Sequence, residues 1–354
     1  MSEHAEDSEH VAAEDLREFA YRALLAAGMP VADATDTADA MMWSDLRGLE
    51  QHGVSGKLPQ CVRRIRNGGT QADARPRAIR EAAASVAIDG RDSWGQVGAS
   101  AAMRVAIGKA LRCGAGVVSL RDTSSAAALG YYADLATREH LIGIVVTNGP
   151  ALIPAWGGTT KQLGNQAHAI GVPAGRHSPI LFDSALTVLS TGQMELIRER
   201  GEQLPDGVLL DARGEPTRDP AAWTAGLLVP IGGHRGYALA LMFEILTGVL
   251  AGGARQGSTI GHPFDYGTSQ GVGMICIAID PRMSLSYDKF TARVDRLIDQ
   301  IHASPPAPGV DRVLVPGERG YRTARERSRA GVPLTKERAE TLRALAGELA
   351  IAAW

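Results

Sequence analysis

The feature that most constrains the fold is an alternation of apolar runs and helix-like segments between residues 85 and 148. The runs SVAID (85–89), GVVSL (116–120) and IGIVVTN (142–148) have the length and β-branched content of buried strands. Residues 96–113 and 131–140, which separate them, carry apolar and small residues at helical spacing. Strands that alternate with helices form a sheet covered by helices, so the sequence predicts an α/β fold.

Further elements are predicted on both sides of this region. Residues 1 to about 11 indicate a solvated acidic tail, and residues 304–320 a Pro-rich connection. The apolar stretch 237–251 contains Glu244 and is too short to span a bilayer. Strands are predicted at 179–185 and 273–280, and helices at 14–27, 33–46, 58–67, 234–250, 287–303 and 336–350.

Composition and missing motifs exclude several classes of function. Lys and Arg number 37 against 39 Asp and Glu, a net charge of −2 that argues against a nucleic-acid-binding surface. Three widely spaced cysteines give no disulfide framework, which fits a cytoplasmic protein, and the N-terminus has no apolar signal segment. Neither a zinc motif, nor a GxGxxG turn, nor a phosphate-binding P-loop occurs.

A resemblance to a known family begins at SDLRGLEQHGV (44–54) and continues along most of the chain. The segments LGYYADLA, LIGIVVTNGP, IGGHRGYALALM and RTARERSRAGVPL follow in the family's order. On these motifs the chain resembles the malate/L-lactate dehydrogenase family of the second type, which is distinct from the Rossmann-type dehydrogenases. Several motifs in the right order make this resemblance specific, whereas no single one would.

The resemblance implies the family's α/β fold with N- and C-terminal helices, a homodimer and an NAD(P)H site without a glycine-rich turn. It also implies small 2-oxo, 2-hydroxy or cyclic imino acid substrates. We expect a discontinuous substrate-side domain (1–122 and 258–354) and a middle domain (123–257) that in relatives holds the nicotinamide. The site should lie in the cleft between them.

Carrying the family's residues over to this chain gives matches and departures. His52 matches the active-site histidine, and Lys57 falls near an arginine of the family, displaced by one residue. Ser125 stands where relatives have the histidine that exchanges a proton with the substrate, and a serine has no useful acid or base near pH 7. The cofactor motifs at 164–167, 183–187, 234–236 and 273–275 also depart from the family's pattern.

These comparisons predict a set of site residues. The catalytic candidates are His52, Lys57 and Ser125. Cationic side chains are expected to hold substrate carboxylates, and the start of the helix at 234 attracts anions. The substrate-binding candidates are Arg47, Ser124, Asn148, His168, His234 and Arg235. If a nicotinamide binds, the residues predicted to hold it are Asn165, Thr187 and Arg235.

The departures favour a cofactor-independent epimerase or racemase that moves a proton at the α-carbon of a small 2-substituted dicarboxylate. In this hypothesis the family's carboxylate site is kept and the hydride donor is lost, so no cofactor binds. The alternative is an NAD(P)-dependent 2-hydroxyacid dehydrogenase or imino acid reductase with a remodelled site. A third hypothesis, a binding protein without catalysis, is disfavoured by His52.

Overall fold

A central seven-stranded sheet organises the protein, whose computed structural model describes residues 8–354 except for the side chains at 195, 196 and 199. The strand order is β2-β3-β4-β12-β5-β8-β9, and only β3 and β4 run parallel. The predicted α/β fold is therefore confirmed, with a largely antiparallel sheet. The strands are β2 (Arg77–Glu81), β3 (Ser85–Ser93), β4 (Ala115–Thr123), β5 (Ile142–Thr147), β8 (His168–Val172), β9 (Ile180–Ser184) and β12 (Val272–Ile279).

The sheet has its apolar core at β12, which pairs with β4 on one side and β5 on the other. Met274, Cys276 and Ala278 of β12 are fully buried. Two helices, α4 (Gly95–Cys113) and α5 (Gly130–Arg138), pack against this core through small residues. Strand β12, which comes late in the sequence, thus lies between β4 and β5 and links the strands of the predicted strand–helix–strand region into one sheet.

A second core joins the two ends of the chain. It contains the N-terminal helices α1 (Ala13–Ala26), α2 (Val31–Leu46) and α3 (Val54–Arg66), together with α10 (Lys336–Leu349). The strand β1 (Ser8–Val11) pairs antiparallel with β13 (Val332–Thr335). Residues 8–11 are therefore a strand, so the prediction of a solvated tail is wrong there, and its remainder lies outside the described residues.

A third, smaller core lies within residues 153–240, inside the predicted middle domain. It buries Ile153, Leu163, Leu186, Met194 and Leu228. The domain boundaries themselves stay a prediction. The elements of this part are β6 (Ile153–Pro154), β7 (Lys161–Leu163), α6 (Thr191–Glu199), β10 (Leu209–Leu210), β11 (Leu227–Leu228) and α7 (His234–Glu244).

Two long segments differ from their predicted structure. The apolar helix predicted at 234–250 is α-helical only to Glu244 and continues as a π-helix over Ile245–Leu250. Helix α9 (Glu318–Ala330) begins within the predicted connection and follows α8 (Tyr287–His302). None of its residues is fully buried, and its apolar side chains, Tyr321, Ala324 and Ala330, are too few to predict a helix from an apolar pattern. Within residues 8–354, no helix combines the length and hydropathy that crossing a bilayer requires.

Candidate active site

His52 ends a short 3-10 helix between α2 and α3, in a turn that a buried carboxylate organises. Asp45 Oδ2 accepts a hydrogen bond of 2.7 Å from the amide of Val54, the first residue of α3. A Cβ on Gly53 would overlap the Asp45 carboxylate, so this turn requires glycine. Burial raises the pKa of Asp45 to about 7. The resemblance does not single out Asp45 as functional, although it lies in the matching motif.

The His52 ring is neutral at physiological pH. Burial, and then the nearby Lys57 charge, lower its pKa to about 3. Its Nδ1 atom is buried and has no hydrogen-bond partner among the described residues. A buried polar atom without a partner is costly, and a bound molecule could satisfy it. His52 can therefore donate or accept a hydrogen bond to a bound molecule, but its neutral ring does not act as a proton donor near neutral pH.

Lys57 lies in the first turn of α3, where its amide donates to the carbonyl of Gly53. Its Nζ donates a 3.0 Å hydrogen bond to Gln60 Oε1, and no carboxylate among the described residues pairs with it. Burial lowers the pKa of Lys57 to about 8. The side chain therefore exchanges a proton close to neutral pH, which neither His52 nor a serine does.

A loop from Gly261 to Gln270 connects Lys57 with the Ser125 segment. Gln60 Nε2 donates to the carbonyl of Pro263 at 3.0 Å. Gln270 Oε1 accepts from the Ser125 amide at 3.1 Å. Lys57, through Gln60, and Ser125, through its amide, are thus linked by hydrogen bonds to the same loop. Sequence reasoning missed both glutamines because only the fold brings their partners near.

Three of the predicted substrate-binding residues have partners within the protein. Ser124 Oγ accepts a 2.8 Å hydrogen bond from the amide of Gly95 at the start of α4. The Arg47 guanidinium lies over the Trp43 ring and 3.8 Å from the Asp134 carboxylate. Asn148 Oδ1 accepts from the amide of Gly273. All three act within the fold as described, and their predicted contact with substrate stays untested.

The residues predicted to hold a nicotinamide lie on chain segments that backbone hydrogen bonds link near the start of α7. The Asn165 carbonyl accepts from the Leu186 amide at 2.7 Å, and Thr187 forms a bridge with Pro230, four residues before His234. Thr187 Oγ1 is buried without a partner among the described residues. The rings of His234 and the exposed Trp156 lie 5.9 Å apart. We call Asn165, Thr187, His234 and Arg235 the α7 cluster.

His168 and Asp183 lie on neighbouring strands of the same sheet edge. His168 packs against Phe182 and Phe243, and burial lowers its pKa. The Asp183 carboxylate accepts a 2.7 Å hydrogen bond from the Gly130 amide, and desolvation raises its pKa to about 6. Asp183 was not among the predicted site residues, although it matches the family's motif.

Gln51, the residue before His52, touches the part of the chain that carries the α7 cluster. A Cβ on Gly192, in the first turn of α6, would lie 3.5 Å from Gln51 Cγ. The His52 turn therefore borders the 153–240 unit. The Lys57 region and the α7 cluster come from the two predicted domains, as a cleft site requires.

Comparison with known proteins gives the chain its relatives. The malate/L-lactate dehydrogenase family model matches residues 11–343. A malate dehydrogenase from Pyrococcus abyssi is 32% identical over 96% of this chain and 94% of its own length. An L-sulfolactate dehydrogenase from Methanothermobacter thermautotrophicus is 34% identical over 93% and 94%. The solved sulfolactate dehydrogenase from Methanocaldococcus jannaschii superposes with a TM-score of 0.91 at 31% identity, covering 98% of both chains.

These comparisons correct the main functional prediction. The relatives are named as dehydrogenases, which are oxidoreductases and need a redox partner. The prediction of an isomerase that works without a cofactor is therefore wrong, and the findings favour its oxidoreductase alternative. The prediction rested on the serine at position 125, which the sequence shows, whereas the lowered pKa of Lys57 depends on burial and can be seen only in the structure. The family match and the relatives agree over nearly the whole length, and the chain belongs to the malate/L-lactate dehydrogenase family.

Proposed function

We propose that the protein is an NAD(P)-dependent oxidoreductase that interconverts a small 2-hydroxy acid and its 2-oxo acid. The observation that carries the proposal is the pair of His52 and Lys57. A lysine with a pKa of about 8 lies beside a neutral histidine with an unpartnered ring nitrogen. Reduction of a carbonyl requires a proton donor that is effective near neutral pH, and Lys57 has that property.

In reduction, the Lys57 ammonium donates its proton to the substrate oxygen, and in oxidation the neutral amine takes a proton from the hydroxyl. A bound nicotinamide would supply or accept the hydride. The hydrogen bond to Gln60 orients the ammonium. The neutral His52 ring orients the substrate oxygen through a hydrogen bond. Ser125 needs no acid–base role in this mechanism.

The α7 cluster fits a nicotinamide cofactor. Thr187 offers a buried hydroxyl that has no hydrogen-bond partner in the described part of the chain, and the start of α7 offers backbone N–H groups and the exposed Arg235 for a phosphate. Trp156 is 58% exposed and provides an aromatic surface at the same place. These features support Asn165, Thr187 and Arg235 as the residues that would hold the cofactor.

The direct test is reduction of a panel of 2-oxo acids and cyclic imino acids with NADH and with NADPH. We expect oxidation of one cofactor with at least one 2-oxo acid. The Lys57→Gln variant should lose about 10²-fold or more of kcat/KM. Lys336→Gln, which removes an exposed lysine at the start of α10, is the matched control and should keep wild-type activity. Absence of turnover with every member, or full activity of Lys57→Gln, would contradict the proposal.

A homodimer in the cytoplasm belongs to the same proposal. Large apolar side chains along α7 and the π-helix are exposed in the single chain, among them Met242 (49%), Val249 (56%) and Leu250 (64%). An apolar surface of this kind supports burial against a second copy. The three cysteines, Cys61, Cys113 and Cys276, are all free thiols, which supports a reducing compartment.

A further inference from the structure

A pocket lies between the β8–β9 connection, α8 and the start of α9, and the ring of Tyr321, one of its lining residues, is 5.1 Å from the Arg47 guanidinium. Its volume is about 240 Å³. It borders the sheet edge, because the Leu181 amide of β9 donates a 3.0 Å hydrogen bond to the Pro316 carbonyl just before α9. No residue of the α7 cluster and neither His52 nor Lys57 lines it.

The pocket is strongly cationic. Five arginines line it, Arg176, Arg312, Arg319, Arg322 and Arg325, and Glu318 is its one acidic lining residue. Two of the arginines are neutralised by carboxylates, since Arg176 pairs with Asp299 and Arg312 lies 3.7 Å from Glu318. Among the residues described, the other three have no ion-pair partner. A chain with a net charge of −2 thus concentrates about three unpaired positive charges at one cavity.

The three unpaired arginines have a regular arrangement. Arg319, Arg322 and Arg325 are spaced three residues apart on α9, so they project from one face of the helix. At 1.5 Å per residue their backbone positions span about 9 Å. A guanidinium group donates two parallel hydrogen bonds to the oxygens of a phosphate, and an anion bound among these three exposed cations would relieve their mutual repulsion.

We propose that this arginine pocket binds a small polyphosphate anion, with Arg319, Arg322 and Arg325 holding successive phosphate groups. A row of cations matches a chain of phosphates better than it matches a single compact ion. The volume is below the roughly 300–1,000 Å³ of pockets that enclose drug-sized ligands, so the phosphate chain enters and any group attached to it stays outside. The proposal goes beyond the oxidoreductase activity and does not depend on it.

The test is calorimetric titration of the full-length protein with sodium tripolyphosphate at 50 mM NaCl. We expect binding that weakens at 300 mM NaCl, because exposed charges are screened. The variant Arg322→Gln/Arg325→Gln should bind about 10-fold or more weakly. Arg329→Gln is the matched control, since Arg329 is an exposed arginine of α9 that does not line the pocket, and it should bind like the wild type.

Two further titrations identify the ligand. ATP distinguishes a nucleotide from an inorganic source: tighter binding than tripolyphosphate would indicate a nucleoside polyphosphate, and equal binding would indicate that the phosphate chain alone is recognised. Citrate has a similar charge on carboxylates. Citrate binding as tight as tripolyphosphate, no binding by the wild type, or equal loss in the Arg329→Gln control would overturn the proposal. Thermal unfolding of each variant without ligand verifies that it is folded.

Discussion

At the residue scale, burial lowers the pKa values of both His52 and Lys57, and this affects which of them can exchange a proton near neutral pH. Histidine is ordinarily the residue that titrates near pH 7, yet desolvation lowers the pKa of His52 to about 3. The same effect lowers the pKa of Lys57 from its usual 10.5 to about 8. The residue types alone would give the proton to the histidine. Their surroundings favour the lysine, so the proposed mechanism needs no acid–base role for Ser125.

The pH dependence of the reaction tests this assignment. Because the protonated lysine is the donor, kcat/KM for reduction should fall above about pH 8, by tenfold per pH unit. In the oxidation direction the rate should rise towards the same pH. Steady-state rates between pH 6 and 10 in both directions measure this. An inflection between pH 6 and 7 would instead assign the proton to a histidine.

The buried Asp45 should make stability depend on pH. Its folded pKa of about 7 is above the usual 3.8, so between about pH 4 and 7 the folded chain holds a proton that the unfolded chain has released. Stability therefore falls as pH rises through this window, by at most about 4 kcal/mol at 1.36 kcal/mol per pKa unit.

Asp45→Asn keeps an oxygen for the Val54 amide but does not titrate. Relative to the wild type, the variant should gain unfolding free energy between pH 5 and pH 8, measured by urea denaturation. The exposed Asp15 on α1 provides the control Asp15→Asn, whose difference from the wild type should stay nearly constant. A constant difference for Asp45→Asn as well would contradict the prediction.

At the element scale, the sequence predicts those helices and strands that carry an apolar period. Helices α1, α2 and α4 lie within three residues of their predicted bounds because each has a buried apolar face. Helix α9 has no buried apolar face, so the sequence does not predict it. Strand β1 depends on pairing with β13, which lies more than 300 residues away in the sequence. The site follows the same rule. The motif around His52 locates the turn, whereas Gln60, Gln270 and the pKa of Lys57 depend on contacts that only the fold creates.

Arg327 of helix α9 forms hydrogen bonds with the residues around the His52 turn. Its guanidinium donates to the Asp45 carbonyl at 2.6 Å and to Glu50 Oε1 at 2.5 Å. Arg327→Gln should lower the unfolding free energy by about 1.5–3 kcal/mol, the usual range for hydrogen bonds to a charged group. It should also speed amide hydrogen exchange in the turn before α3. Arg329→Gln, on the same helix, should change neither quantity, and similar effects from both variants would show that α9 does not act through Arg327.

At the scale of the whole molecule, α7 and the π-helix carry large apolar side chains that are exposed to solvent in the single chain. Met242 of α7 and Val249 of the π-helix are both about half exposed, and the nearby Leu246 and Leu250 are exposed as well. The core that holds this helix lies on its other side, with Ala240 fully buried. Several large apolar side chains exposed along one helical segment are uncommon on a monomer and typical of an interface.

We therefore expect the protein to have twice its chain mass of 37.3 kDa in solution at micromolar concentration. Light scattering coupled to size-exclusion chromatography measures this mass. Met242→Glu/Val249→Glu places two carboxylates in the centre of the apolar face, and desolvating them without partners should dissociate the dimer into folded monomers. Leu297→Glu, at a 51% exposed leucine of α8, is the control and should stay dimeric. A wild-type mass of one chain would rule out the dimer. A double variant that still dimerises would show that the chains associate through a different surface, and circular dichroism of both variants establishes that their secondary structure is intact.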